Sequence, residues 1–193
     1  MSSTICYIHG LNASHTSFSY MTKEIGDGAS KIKYRSYQAL QDSVLQVARQ
    51  LPKDEPLTLI GHSLGGVIAL LIALDKTHDV QRIVTVSSPV GGSKFAYWMR
   101  WFMAGLPILN DLTPQSPAMQ RFLKEEIHCP LLSVISTGGS TPFSLEANDS
   151  IVTVSSQMAL PYGKKVEVRA NHFEVLQHQK TIEVIRQFVQ TET

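Results

Sequence analysis

Ser63, Asp149 and His172 carry the three side-chain types that together make a serine hydroxyl reactive. A hydroxyl near neutral pH is a poor nucleophile, so Ser63 needs a base to take its proton, and that base needs a third group to orient it. Seven histidines compete for the role of base. His172 directly follows the last expected strand, whereas His178 opens a helix, His78 precedes a strand, and His62 is expected to point away as the second residue of a tight turn. Asp149 sits in the loop after the preceding strand, followed by the apolar pair Ile151-Val152, and is the expected orienting acid, with Glu146 as the weaker alternative. Each assignment has a bland competitor: a serine incidental to a glycine-rich turn, a hydrogen-bonded histidine, or a turn-forming aspartate. Taken together they follow three different strands in the order Ser, Asp, His, and this favours acyl-transfer chemistry.

The elements that must position these groups begin with residues 57–74, LTLIGHSLGGVIALLIAL. The first four residues are apolar and short, as suits a strand buried on both faces, and residues 67–74 contain no Pro or Gly and can form a buried helix. Gly61-His62-Ser63-Leu64-Gly65 between them fits G-x-S-x-G, a turn that strains the serine and lifts its hydroxyl over the sheet edge. The N–H of Leu64 then opens a helix, where unpaired donors and the helix dipole favour an oxyanion. A second donor is expected from Leu11, just after Gly10 in the loop that ends the strand at residues 5–8. No phosphate-binding glycine loop is present.

The remaining chain alternates strand-like and helix-like segments. Residues 17–25 read as weakly helical, 31–37 as an alternating strand, 42–51 as a helix, 82–86 as a buried strand, 131–136 and 165–169 as the last two strands, and 177–189 as an amphipathic helix. Ser116 and Pro117 have the types preferred at a helix N-cap and first turn. The expected fold class is therefore α/β, one domain over residues 1–193 with a mostly parallel sheet covered by helices on both faces. A short helical insertion at about 91–128 follows the strand ending near Ser87. Residues 95–109 hold both tryptophans, Trp98 and Trp101, and read either as core or as a lid and acyl-chain wall above Ser63.

Composition narrows the partners. A hydrophobic content of 43%, 17% charged residues and a formal charge of +1 describe an ordinary globular chain with no electrostatic argument for nucleic acid. No apolar run is long enough for a transmembrane segment and no signal peptide is seen, so the expected location is cytoplasmic, with peripheral lipid contact left open for residues 95–109. Cys6 and Cys129 lie far apart in apolar surroundings and read as buried free thiols; nothing points to a metal or cofactor. No residue pattern specifies an oligomeric state.

The chain resembles the α/β-hydrolase superfamily over nearly its full length, and most its small lipases and esterases. Besides Gly61-His62-Ser63-Leu64-Gly65-Gly66, the segment Ser88-Pro89-Val90-Gly91-Gly92-Ser93 is similar to the lipases' T-P-H-G-G-S, with Val90 in place of histidine, and Asp111-Leu112-Thr113-Pro114-Gln115-Ser116 to their D-L-x-P-x-S. The resemblance implies Ser63 as nucleophile, His172 as general base and acid, Asp149 as its orienter, and the Leu11 and Leu64 N–H groups as oxyanion hole. The expected activity is cleavage of a small-molecule or lipid carboxylic ester through an acyl-enzyme. Thioester cleavage, action on phospholipids and a catalytically silent binding module are the alternatives.

Overall fold

The apolar runs form the strands, and they lie side by side. In the computed structural model, which describes residues 3–26, 30–93, 96, 105–141 and 144–191, β1 (Thr4–Ile8), β2 (Ser30–Lys31), β3 (Leu57–His62), β4 (Val80–Val86), β5 (Leu131–Ser136) and β8 (Lys164–Val168) make a six-stranded sheet in the order β2-β1-β3-β4-β5-β8. Every pairing in it is parallel. Every residue of β3 and of β5 is buried, as expected where helices cover both faces.

Alternation along the strands divides the core in two. Cys6, Ile8, Leu57, Leu59, Ile83 and Leu131 face α2 (Leu40–Ala48), α3 (Leu64–Asp75), α4 (Pro107–Asp111) and α5 (Pro117–Lys124). Tyr7, Ile60, Val84, Val86, Leu132 and Val134 face α1 (Ser19–Ile25) and α7 (Gln179–Gln190). Helix α2 buries Leu40, Ser43, Val44 and Val47, one stripe at helical spacing, whereas α3 is apolar on all sides and buried along nearly its whole length. Ser116 caps α5 through a bond from the Met119 N–H, with Pro117 in the first turn.

Two segments differ from expectation. The alternating stretch 31–37 pairs as a strand only at Ser30–Lys31. Beyond that point side chains of the helix face replace a neighbouring strand: Gln50 accepts from the Lys33 N–H at 3.1 Å and donates to its carbonyl at 2.8 Å, and Gln46 accepts from Arg35 at 3.1 Å. The loop after β5 contains a hairpin, β6 (Gly139–Thr141) against β7 (Ser144–Asn148), followed by the short α6 (Val154–Gln157). Trp98, Trp101 and most of residues 95–104 lie outside the described residues; the rest of the expected insertion contains α4 and α5.

Strand order reverses between β1 and β3, and the crevice of an open parallel sheet opens at such a switch point, outside the carboxyl ends of the strands. Asp111 ends α4 and accepts from the Leu40 N–H at 2.8 Å, filling at long range the capping role that Ala39 cannot. Asp111→Ala is expected to lower stability by about 1 kcal/mol, read from the urea midpoint; an unchanged midpoint would show that water replaces this cap at no cost.

Candidate active site

The turn after β3 has a backbone that few side chains tolerate. Ser63 has φ 54° and ψ −121°, and its N–H donates to the Val86 carbonyl at 2.8 Å. Glycine is required on both sides because the chain segments touch: a Cβ on Gly61 would lie 2.3 Å from the Gly65 carbonyl oxygen, and one on Gly65 only 1.9 Å from that of Ile8. Helix α3 begins at Leu64, so its first N–H groups face outward from the turn.

A cavity of about 660 Å³ opens over this turn. Ser63, His62, His172, Leu11 and Leu64 all line it, and its walls are mainly apolar, with Leu109 and Leu112 from the insertion, Ile151 and Val152 from the Asp149 loop, and Phe173 and Leu176 after β8. The N–H groups of Leu11 and Leu64 bond no other group among the described residues. The neighbouring His9 is buried and structural: its ring donates to the Gly10 carbonyl, stacks on Tyr34 at 4.4 Å, and burial lowers its pKa.

Asp149 and His172 meet beneath the cavity floor. His172 Nδ1 lies 2.8 Å from Asp149 Oδ2, and the His172 N–H donates to the Asp149 carbonyl at 2.9 Å, so backbone and ring are both tied to one residue. Asp149 is fully buried. Its Oδ1 accepts from the N–H groups of Ile151 and Val152 at 3.0 and 2.7 Å, while Oδ2 also accepts from Ser136 Oγ at 2.5 Å. Burial pushes the carboxyl up, but the bond and charge of His172 and the bonds from Ser136 and Val152 outweigh it and hold the group below its ordinary range. Glu146, the alternative acid, lies in β7, and Asp149 rather than Glu146 bonds His172. Ser63 Oγ and His172 share the cavity without a hydrogen bond between them.

His62 corrects an expectation. Its ring is buried, not turned away, and it packs 4.8 Å from the His172 ring. Nε2 donates to the His172 carbonyl at 2.8 Å, which fixes the proton on that nitrogen, and Nδ1 has no partner among the described residues. Sequence reading also missed Ser136, Ser87 and Gln157, all buried around Asp149; for the two serines the available signal was a small polar residue at the carboxyl end of a mostly apolar strand, and Gln157, in α6, had none. Among the described residues no group of three or more His, Cys, Asp or Glu is gathered so as to hold a metal ion. Cys6 is fully buried and Cys129 half-buried, and neither forms a disulfide among the described residues.

Burial, then the nearby His172, lowers the His62 pKa from 6.5 to about 3. The unfolded chain therefore takes up this proton first, so the stability due to neutral His62 is complete above its ordinary value and is lost as pH falls toward the folded one. Wild type is expected to lose about 1.4 kcal/mol per pH unit more than His62→Gln between about pH 5.5 and pH 4, measured by urea unfolding. Parallel curves for the two proteins would mean that His62 is protonated in the fold.

Residues 25–126 match the model of the alpha/beta hydrolase fold. The chain is 33% identical over 159 residues to the sn-1-specific diacylglycerol lipase ABHD11 of Mus musculus, covering 73% of this chain. It spans about half (50%) of the length of that relative. Among solved structures, the mature lipase BlEst2 of Bacillus licheniformis superposes with a TM-score of 0.79 at 19% identity, covering 98% of this chain and 93% of the lipase. The thioesterase domain from the curacin biosynthetic pathway superposes with a TM-score of 0.61 at 15% identity, covering 98% of this chain and 91% of that one. The chain belongs to the α/β-hydrolase fold family.

Proposed function

We propose that the protein is a serine hydrolase that cleaves carboxylic esters with an apolar acyl group. The observation that carries this reading is Ser63, at positive φ on a glycine-bounded turn, opening onto the same cavity as a histidine bonded to a buried, ionised aspartate. In the proposed reaction His172 Nε2 takes the proton of Ser63 Oγ as that oxygen attacks the ester carbonyl carbon. The Leu11 and Leu64 N–H groups receive the oxyanion. The intermediate collapses with departure of the alcohol, which carries away the proton from His172, and water then attacks the acyl-enzyme by the same path, releasing the acid and restoring Ser63. Asp149 keeps the Nδ1 proton in place and balances the imidazolium that forms.

The apolar walls suit an acyl chain, since apolar surface is removed from water in proportion to chain length. The mouse relative's name makes a diacylglycerol the natural first lipid substrate to assay. A thioester would use the same groups, so acyl thioesters belong in the same assay.

A fluorophosphonate probe is expected to label wild type and fail on Ser63→Ala and His172→Ala. Asp149→Asn is expected to lower kcat by about 10⁴-fold while remaining folded. Cleavage of p-nitrophenyl esters should rise with chain length until the cavity is filled. A correctly folded wild type that is neither labelled nor active on esters or thioesters would refute the reading.

A further inference from the structure

Asp149 accepts more hydrogen bonds than its orienting role alone requires, and the excess falls on the oxygen that faces His172. Oδ1 is occupied by the N–H groups of Ile151 and Val152. Oδ2 receives His172 Nδ1 at 2.8 Å, Ser136 Oγ at 2.5 Å and Gln157 Nε2 at a weak 3.4 Å. An ionised carboxylate only accepts, so the single Ser136 hydroxyl proton points at Asp149. Ser136 Oγ is then an acceptor toward Ser87 Oγ, 2.6 Å away at the end of β4, and Ser87 donates. Ser136 and Ser87 are wholly buried and Gln157 nearly so, so no water competes for these partners.

Gln157 fixes the donor itself. Its Oε1 accepts from the Ser136 N–H at 2.8 Å and its Nε2 donates to the Ser136 carbonyl at 3.0 Å, a two-point grip on the last residue of β5. The order of support runs from Gln157 and Ser87 to Ser136, from Ser136 to Asp149, and from Asp149 to His172.

We propose that Ser136 is a positioning residue for the Asp149–His172 pair, setting both the placement of Asp149 Oδ2 and the strength with which that oxygen draws on the His172 Nδ1 proton, with Gln157 holding Ser136 in place. This rests on the reading of Asp149 as the orienting acid. Two donors on one oxygen each reduce its pull on the other. Removing the Ser136 hydroxyl frees Oδ2 to turn and leaves it more basic toward His172. The first effect slows turnover; the second stabilises the His172 imidazolium and moves the acid limb of kcat/KM to higher pH. The other titratable groups near the pair are His62, from the end of β3 and kept neutral by burial, and the exposed Glu174 on the turn after His172, both unchanged by the substitution.

The test compares the wild-type chain with Ser136→Ala and with Ser136→Cys, which keeps the volume but donates poorly and covers the case in which alanine does not fold. Three readouts apply: steady-state kinetics on the best p-nitrophenyl ester, the pH profile of kcat/KM, and the low-field proton resonance of His172 Nδ1–H. Both variants are expected to retain fluorophosphonate labelling at Ser63, lose about 10- to 100-fold in kcat with KM little changed, shift the acid limb upward and move the resonance downfield. A purely structural serine would lower the melting temperature and leave limb and resonance in place. Folded variants with wild-type kcat, limb and resonance overturn the proposal, whereas a wild type without labelling or turnover overturns the hydrolase reading and leaves the resonance to decide the role of Ser136.

Discussion

The close approach of β3 and α3 across the Ser63 turn is the constraint on which the site depends. The strand and the helix that leaves it are packed so tightly that Gly61 touches Gly65 and Gly65 touches the end of β1, with no room for a methyl group at either position. Held this way, Ser63 occupies a backbone conformation that costs about 1–3 kcal/mol for a residue with a side chain. Burial of α3 on every side, and the bond from Ser63 N–H to Val86, tie the turn to structure that cannot relax around it. The same contact brings the loop after β1 against the turn, so Leu11 and Leu64, which follow different strands, line one cavity.

The partners of the turn arrive differently. β8 is an edge strand with Lys164, Lys165 and Glu167 along it, a charge pattern that guards an open edge more than it buries one. An edge strand alone is a poor anchor for His172. The residue is instead fixed by its neighbours: its N–H bonds Asp149, its carbonyl receives His62, and Asn171 Oδ1 takes the next two N–H groups. Three strand ends are in this way joined through one histidine.

The sheet was legible in the sequence wherever burial on both faces left a short, mostly apolar run, as in residues 57–60, 82–86 and 131–136, and so was the helix that Ser116 and Pro117 begin. What failed was context of another kind. The stretch at 31–37 alternates like a strand, but its backbone partners are glutamine side chains that no propensity anticipates. The hairpin of β6 and β7 has too few apolar residues to announce itself. His62 was misread although its direction follows from strand parity: β3 runs through residue 62, and alternation puts His62 on the Ile60 face, where Val175 and Leu176 also pack. The pairing of Ser136 with Asp149 depends on a hairpin and a short helix that fold the intervening chain back, and nothing in the spacing of the two residues records it.

Two imidazoles within 4.8 Å of each other raise an electrostatic difficulty for the proposed mechanism, since a charge on one opposes a charge on the other. The fold resolves it by burial. His62 is enclosed, donates to a carbonyl, and stays neutral down to about pH 3, so it imposes no positive charge on His172 across the range in which a serine hydrolase works. Asp149, equally enclosed, is held ionised by hydrogen bonds that outweigh the cost of its burial. Burial thus ends with opposite results for the two neighbours of His172, because a charged His62 would have no acceptor at Nδ1 whereas the Asp149 carboxylate has several donors. In the proposed mechanism, the proton taken from Ser63 then has one place to go.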